Sequence, residues 1–211
     1  MDQLTDSLLA DTSQIWDEVI QHRFFQEVIA DTLETDRLIR YLGVEYAFID
    51  TAAIVLGHAV TKARSFDERQ RLALGLYGLV TDQETFFQNA FESLNVPNSR
   101  LRTHQSDKLH ALFLGTASQG SYAEILATIF GAEWLYLQWC TTANKTPARR
   151  PVIRRWVELH AGGSFASHVY WVRSQLDSFI LSSEEKAKIQ KIFEETLKAE
   201  DAFHDAVYQD D

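Results

Sequence analysis

Glu200 and His204 stand where an amphipathic helix calls for apolar side chains, on the stripe Ile189, Ile192, Phe193, Thr196, Leu197, Phe203, Val207. Solvent-facing positions of the same stretch are taken by Glu194, Glu195, Lys198, Asp201 and Asp205. Burying a carboxylate costs several kcal/mol by order of magnitude unless it is hydrogen-bonded or protonated. The same test singles out Glu45, one turn from Tyr41 and near Phe48, and His160 on the Ile153–Trp156–Val157 stripe. Glu133 and Tyr136 lie three apart on the apolar side of GSYAEILATIFGAEWLYLQW (120–139), one turn apart on one face. A buried carboxylate beside a phenol is either a satisfied core pair or the floor of a site. Carboxylates and aromatics on the inward faces of several helices are also how sites in bundle cores are built.

Each residue also has a structural reading. Glu200 could reach water at a rim, and His160 and His204 could be satisfied core histidines. Tyr46 and Tyr136 could be core aromatics. Metal is not expected: a di-iron bundle site asks for Glu-x-x-His motifs, and the chain offers only Glu200-x-x-x-His204 and the distant pair His160 and His168. The other histidines, His22, His58, His104 and His110, lie on segments without matching carboxylate spacing. Cys140, the single cysteine, reads as an inert buried thiol, one turn past Tyr136. No serine nucleophile elbow, phosphate loop or dinucleotide fingerprint occurs. Gly162-Gly163 could admit a planar cofactor such as haem, but close helix packing is the simpler reading. No cofactor is expected.

Helices must position these residues, because no segment alternates as a strand. The periodicity predicts helices at 4–21, 24–30, 36–62 with Thr35 as cap, and 65–94 with Ser65 as cap and Glu68 at the capping-box position. It continues with a loop at 96–106, helices at 107–118 and 120–139, and a connector at 146–151. A helix over 152–179 is interrupted or tightened at Gly162-Gly163, and a last one, capped by Ser182 or Ser183, runs to about Tyr208. This is an all-α bundle of about eight helices forming one domain over 1–211. The net charge of −10 leaves no basic field for nucleic acid, and ARRPVIRR (148–155) is the longest basic cluster. No apolar run approaches the roughly 18 residues of a membrane span. No signal peptide is legible in the opening residues, and a cytoplasmic protein is expected.

Several stretches, in order along the chain, resemble the TenA family, the thiaminase II-like proteins of the haem-oxygenase-like all-α fold. They are IWDEVIQHRFFQEVIADTLETDRLIRYL (15–42), GVEYAFID (43–50), TASQGSYAEILATIFGAEWLYLQW (116–139), RRWVELHAGGSF (154–165) and AEDAFHDAVY (199–208). Arg23 stands where the family's His-Pro-Phe entry has proline. The resemblance implies hydrolysis of an aminopyrimidine, as in thiamin degradation or salvage, with the ring held by carboxylates between aromatics. In the family a cysteine attacks the pyrimidine and a glutamate handles protons. Carried over, the ring-binding acid falls on Glu45, the stacking aromatic on Phe48, and the motif tyrosine on Tyr136. The catalytic glutamate falls on Glu200, with Phe203 also matching, and two family tyrosines fall on Leu109 and His160. The cysteine falls on Ala132 and its preceding proline on Gly131, so the nucleophile is missing. The resemblance then implies carboxylate-assisted attack of water, by Glu200 or the nearer substitute Glu133, with Glu45 on the exocyclic amine and Tyr46 beside it. The alternatives are a protein that binds a small heteroaromatic ligand without chemistry, and a haem-oxygenase-like oxidase. The family implies a homodimer or homotetramer.

Overall fold

In a computed structural model of the chain, residues 3–146 and 148–209 are described, and their regular structure is helical throughout. The helices are α1 (Leu4–Asp11), α2 (Ser13–Ile20), α3 (Arg23–Ile29), α4 (Thr35–Lys62), α5 (Phe66–Gly78), α6 (Glu84–Ser93), α7 (His104–Gln119), α8 (Tyr122–Ala143), α9 (Pro151–Ala161), α10 (Gly163–Asp177) and α11 (Ser183–Asp205). A π-helical turn, Leu79–Gln83, joins α5 to α6. The all-α class read from the sequence holds, and the additional helices come from breaks inside three expected ones.

Each break has a local cause. Thr12 bends back, its hydroxyl donating to the Leu8 carbonyl at 2.7 Å, and separates α1 from α2. The π turn divides the stretch expected as one helix over 65–94. At Gly162 the backbone is extended, with ψ 158°, and α9 ends there as the glycine pair suggested. A Cβ at Gly162 would lie 2.8 Å from the Glu158 carbonyl oxygen, so the turn requires glycine.

One cap differs from expectation. Thr35 is the first helical residue, preceded by Glu34 as cap without a side-chain bond. Ser65 caps α5, accepting from the Glu68 amide at 3.1 Å, and the Glu68 carboxylate answers it, accepting from the Ser65 backbone and from the Arg64 amide, the latter at 2.7 Å. Ser182, rather than Ser183, caps α11, with Glu185 answering it. Helix α7 begins at His104, earlier than the loop composition suggested, because Thr103 and Ser106 form a reciprocal capping box. The connector expected at 146–151 includes Pro147, which lies outside the described residues.

The chain gathers into two compact units, Met1–Thr32 with Leu126–Asp201, and Leu33–Ile125 with Ala202–Asp211. In the first, α1 packs on α10 and α2, and α9 packs on α10. Asp177 accepts from the Thr5 amide and hydroxyl, at 2.9 and 3.0 Å, and anchors α1. Aromatics surround the Leu126–Ala143 part of α8: Trp139 stacks on Phe25 at 5.0 Å, and Phe130 on Phe193 at 5.7 Å. In the second unit α4 is the centre, flanked by α5, α6, α7 and the π turn. One extra residue in a helix turns the following face by about 100°. That rotation brings Glu84, Phe87 and Phe91 toward α4 after a largely exposed α5 whose one buried residue is Leu72.

Candidate functional site

In the first unit His160 and three aromatics gather around Tyr136. Its ring lies 5.3 Å from His160, 6.5 Å from Trp156 and 5.7 Å from Trp139. The His160 Nδ1 is 3.0 Å from the Trp156 carbonyl oxygen. A carbonyl can only accept, so Nδ1 carries the proton and Nε2 is left as the acceptor. Burial pushes the His160 pKa down to about 4, so the ring is neutral at pH 7. Phe165, placed at the start of α10 by the glycine break, closes on His160 at 4.9 Å. Ala132 is buried one turn before Tyr136, and Cys140 is fully buried one turn after it.

Glu133 looks elsewhere. It pairs with His168 of α10 at 3.4 Å, whereas Tyr136 meets α9. The two share the apolar side of α8 expected from their spacing, but they serve different neighbours. Glu200 is 1 % exposed, so the rim reading is replaced by a fully buried carboxylate. One turn before it, the Thr196 hydroxyl donates to the Ile192 carbonyl at 2.8 Å.

In the second unit Phe48 is the hub. Its ring meets Phe113 at 5.0 Å, His110 at 5.2 Å and Phe203 at 5.6 Å, all edge-on. Glu45, on the turn before, is 6 % exposed, and Leu109 is buried beside His110 in sequence. The His110 Nδ1 lies 2.7 Å from the Thr51 hydroxyl, and burial lowers its pKa to about 4. Among the described residues its Nε2 has no hydrogen-bond partner. His204 stacks on Tyr41 at 6.0 Å as a core aromatic.

Tyr46 does not join Phe48. Two residues apart on a helix is about 200° of rotation, so they face opposite sides of α4. Tyr46 stacks on Phe87 at 5.0 Å and donates its hydroxyl to Glu84 at 2.5 Å. Burial, then Glu84, raises its pKa.

Two functional candidates escaped the sequence reading. His110 and His168 were set aside because no carboxylate sat at a metal-ligand spacing, and their partners, Thr51 and Glu133, are remote in sequence. Only the register of His110 with the Phe48 stripe could have hinted at the first. Among the described residues no group of three or more His, Cys, Asp or Glu side chains could hold a metal ion. No described helix is long and apolar enough to cross a membrane.

A family model, the TENA/THI-4/PQQC family, matches residues 9–210. An aminopyrimidine aminohydrolase of Helicobacter pylori is 24 % identical over 215 aligned positions, covering 98 % of this chain and 99 % of the relative. A second protein of that name, from Halalkalibacterium halodurans, is 21 % identical, over 97 % of this chain and 95 % of its own. Among solved structures, a TenA homologue from Pyrococcus furiosus superposes with a TM-score of 0.90 at 20 % identity, covering 97 % of this chain and 100 % of that one.

Proposed function

The chain belongs to the TENA/THI-4/PQQC family, and on that premise we propose that it is a hydrolase of an amino-substituted pyrimidine of the thiamin degradation or salvage type. The reading takes residues 1–211 as one TenA-like domain. The names of the two relatives support the reaction class. The observation that carries it is Glu200, a carboxylate 1 % exposed on the inward stripe of α11. A helix tolerates that placement at a cost of several kcal/mol, unless the group is satisfied or protonated, and function is a reason to keep it.

The chemistry needs a water, a base and a grip on the ring. Glu200 takes the proton from water as the oxygen attacks the carbon bearing the amine, then returns it to the leaving amine. Glu45 accepts from the exocyclic amine. Phe48, Tyr136 and Phe203 stand where the family resemblance expects aromatics. His160, neutral at pH 7 with Nε2 as acceptor, stands where the family resemblance expects a tyrosine, as does Leu109, and Ala132 stands where it expects a cysteine. Glu133, 3.4 Å from His168, is the alternative base. The protein acts as a cytoplasmic homodimer or homotetramer, without a metal or cofactor.

A second reading is favoured by one observation: alanine stands at 132, and Cys140 is fully buried. A protein that lost the nucleophile can keep the pocket as a pyrimidine binder. The purified protein is mixed with thiamin and with aminomethyl-, hydroxymethyl- and formylaminomethyl-pyrimidines, following thermal shift and product mass, with Glu200→Gln in parallel. Turnover that disappears in the mutant is the expected result. A thermal shift without product would replace the hydrolase by the binder, and neither signal would remove both.

A further inference from the structure

The face of α4 opposite Glu45 and Phe48 is held by a loop. Gly43, Tyr46 and Asp50 form one stripe at helical spacing, turned about 150° away from the stripe of Glu45 and Phe48. Residues 99–101 lie along it. The Leu101 amide donates to the Gly43 carbonyl at 2.8 Å. A Cβ on Gly43 would stand 3.3 Å from the Leu101 Cβ, so the loop approaches the helix as closely as glycine allows. One residue earlier, the Arg100 guanidinium covers the Tyr46 ring, its Cζ 4.1 Å from the ring centroid. The same guanidinium donates to Asp50 and reaches Glu84 at 3.4 Å. Glu84 in turn accepts from the Tyr46 hydroxyl. The π turn immediately before Glu84 supplies the rotation that points it there. Three separate pieces of chain, α4, the π turn with the start of α6, and the loop, therefore converge on one arginine.

As isolated surface ion pairs these contacts would contribute little, since Asp50 is largely exposed. The stack over a nearly buried tyrosine and the backbone bond at Gly43 make them a unit. A planar fork that stacks and bridges two carboxylates is a task for arginine, not lysine.

We propose that Arg100 is a positioning residue, which clamps residues 99–101 onto the back of α4 and thereby fixes the orientation of Glu45 and Phe48 on its front. The consequence for turnover rests on the hydrolase reading; the clamp itself does not. Displacing a ring-gripping residue by about 1 Å costs on the order of a hundredfold in rate. Arg100→Met is therefore expected to lower kcat by about tenfold to a hundredfold with KM changed less, and Arg100→Lys to recover only part. Amide hydrogen exchange over residues 43–50 should quicken by about tenfold, while that of α9 stays as in the wild type. Glu84→Gln, which keeps the size and weakens both the Tyr46 and Arg100 contacts, serves as the second variant and should show the same pattern to a smaller degree.

Unchanged exchange at 43–50 in both variants overturns the clamp. Faster exchange with kcat unchanged overturns the positioning role. If the wild type turns over no pyrimidine, the hydrolase reading falls, and the exchange result still decides the clamp.

Discussion

His160 makes folding stability depend on pH in a defined direction. In the folded chain its ring is buried between Trp156, Tyr136 and Phe165, and its pKa lies at about 4 instead of the usual 6.5. Above pH 7 the ring is neutral in both folded and unfolded chains and contributes no pH dependence. As pH falls below 6.5 the unfolded chain takes up a proton that the folded chain refuses until about pH 4. Stability is lost across that window, at up to about 1.4 kcal/mol per pH unit, and reaches roughly 2.5 kcal/mol at pH 4.5. His160→Gln keeps a donor for the Trp156 carbonyl and removes the titration. Urea unfolding of wild type and variant at pH 7.5, 6.0, 5.0 and 4.5 separates this effect from all others, because the remaining groups cancel in the difference. The variant is expected to start slightly less stable and to gain on the wild type by roughly 2.5 kcal/mol between pH 7.5 and 4.5. His110→Gln should change in the same sense, since burial also holds that ring at about 4. Curves that stay parallel to within about 0.5 kcal/mol would refute the reasoning, because a group with equal affinity for protons in both states produces no slope.

Two substitutions on α8 test the reading at closer range. Ala132→Cys restores a thiol where the family resemblance places the nucleophile, and Cys140 is too deeply buried to compete in labelling. It should raise kcat/KM on the turned-over pyrimidine by at least about tenfold, and an unchanged value would remove position 132 from the reaction path. Gly131→Ala would place a Cβ 2.9 Å from the Thr196 Cγ2 and 3.4 Å from the Phe193 Cδ2 on the same helix, which leaves little room to yield. A loss of about 1–3 kcal/mol in denaturant unfolding is expected, and a gain in stability would show that α8 and α11 have slack here.

The helical nature of the chain was legible because apolar residues recur at helical spacing and few glycines or prolines interrupt it. The glycine pair at 162–163 announced its own break. The breaks at Thr12 and at Leu79–Gln83 were not announced, because neither carries a proline. For the site, burial was the legible part. Glu45, His160, Glu200 and His204 were singled out as polar residues on apolar stripes, and all four are buried.

Periodicity says which face of a helix turns inward, and for this chain that was sufficient to find the costly carboxylates. It does not say which neighbour lies opposite, because partners such as Glu133 and His168, Thr51 and His110, or Tyr46 and Arg100 are joined by packing and not by spacing. Tyr46 shows the difference most plainly. Its type and its position beside Glu45 suited a ring-binding role, and only the tertiary arrangement turned it to the back of α4, where an arginine from a distant loop and a glutamate rotated by a π turn hold it. The sequence by itself determined which side chains would leave water; the fold decided what each would meet there, because contact depends on the relative placement of helices that no local period encodes.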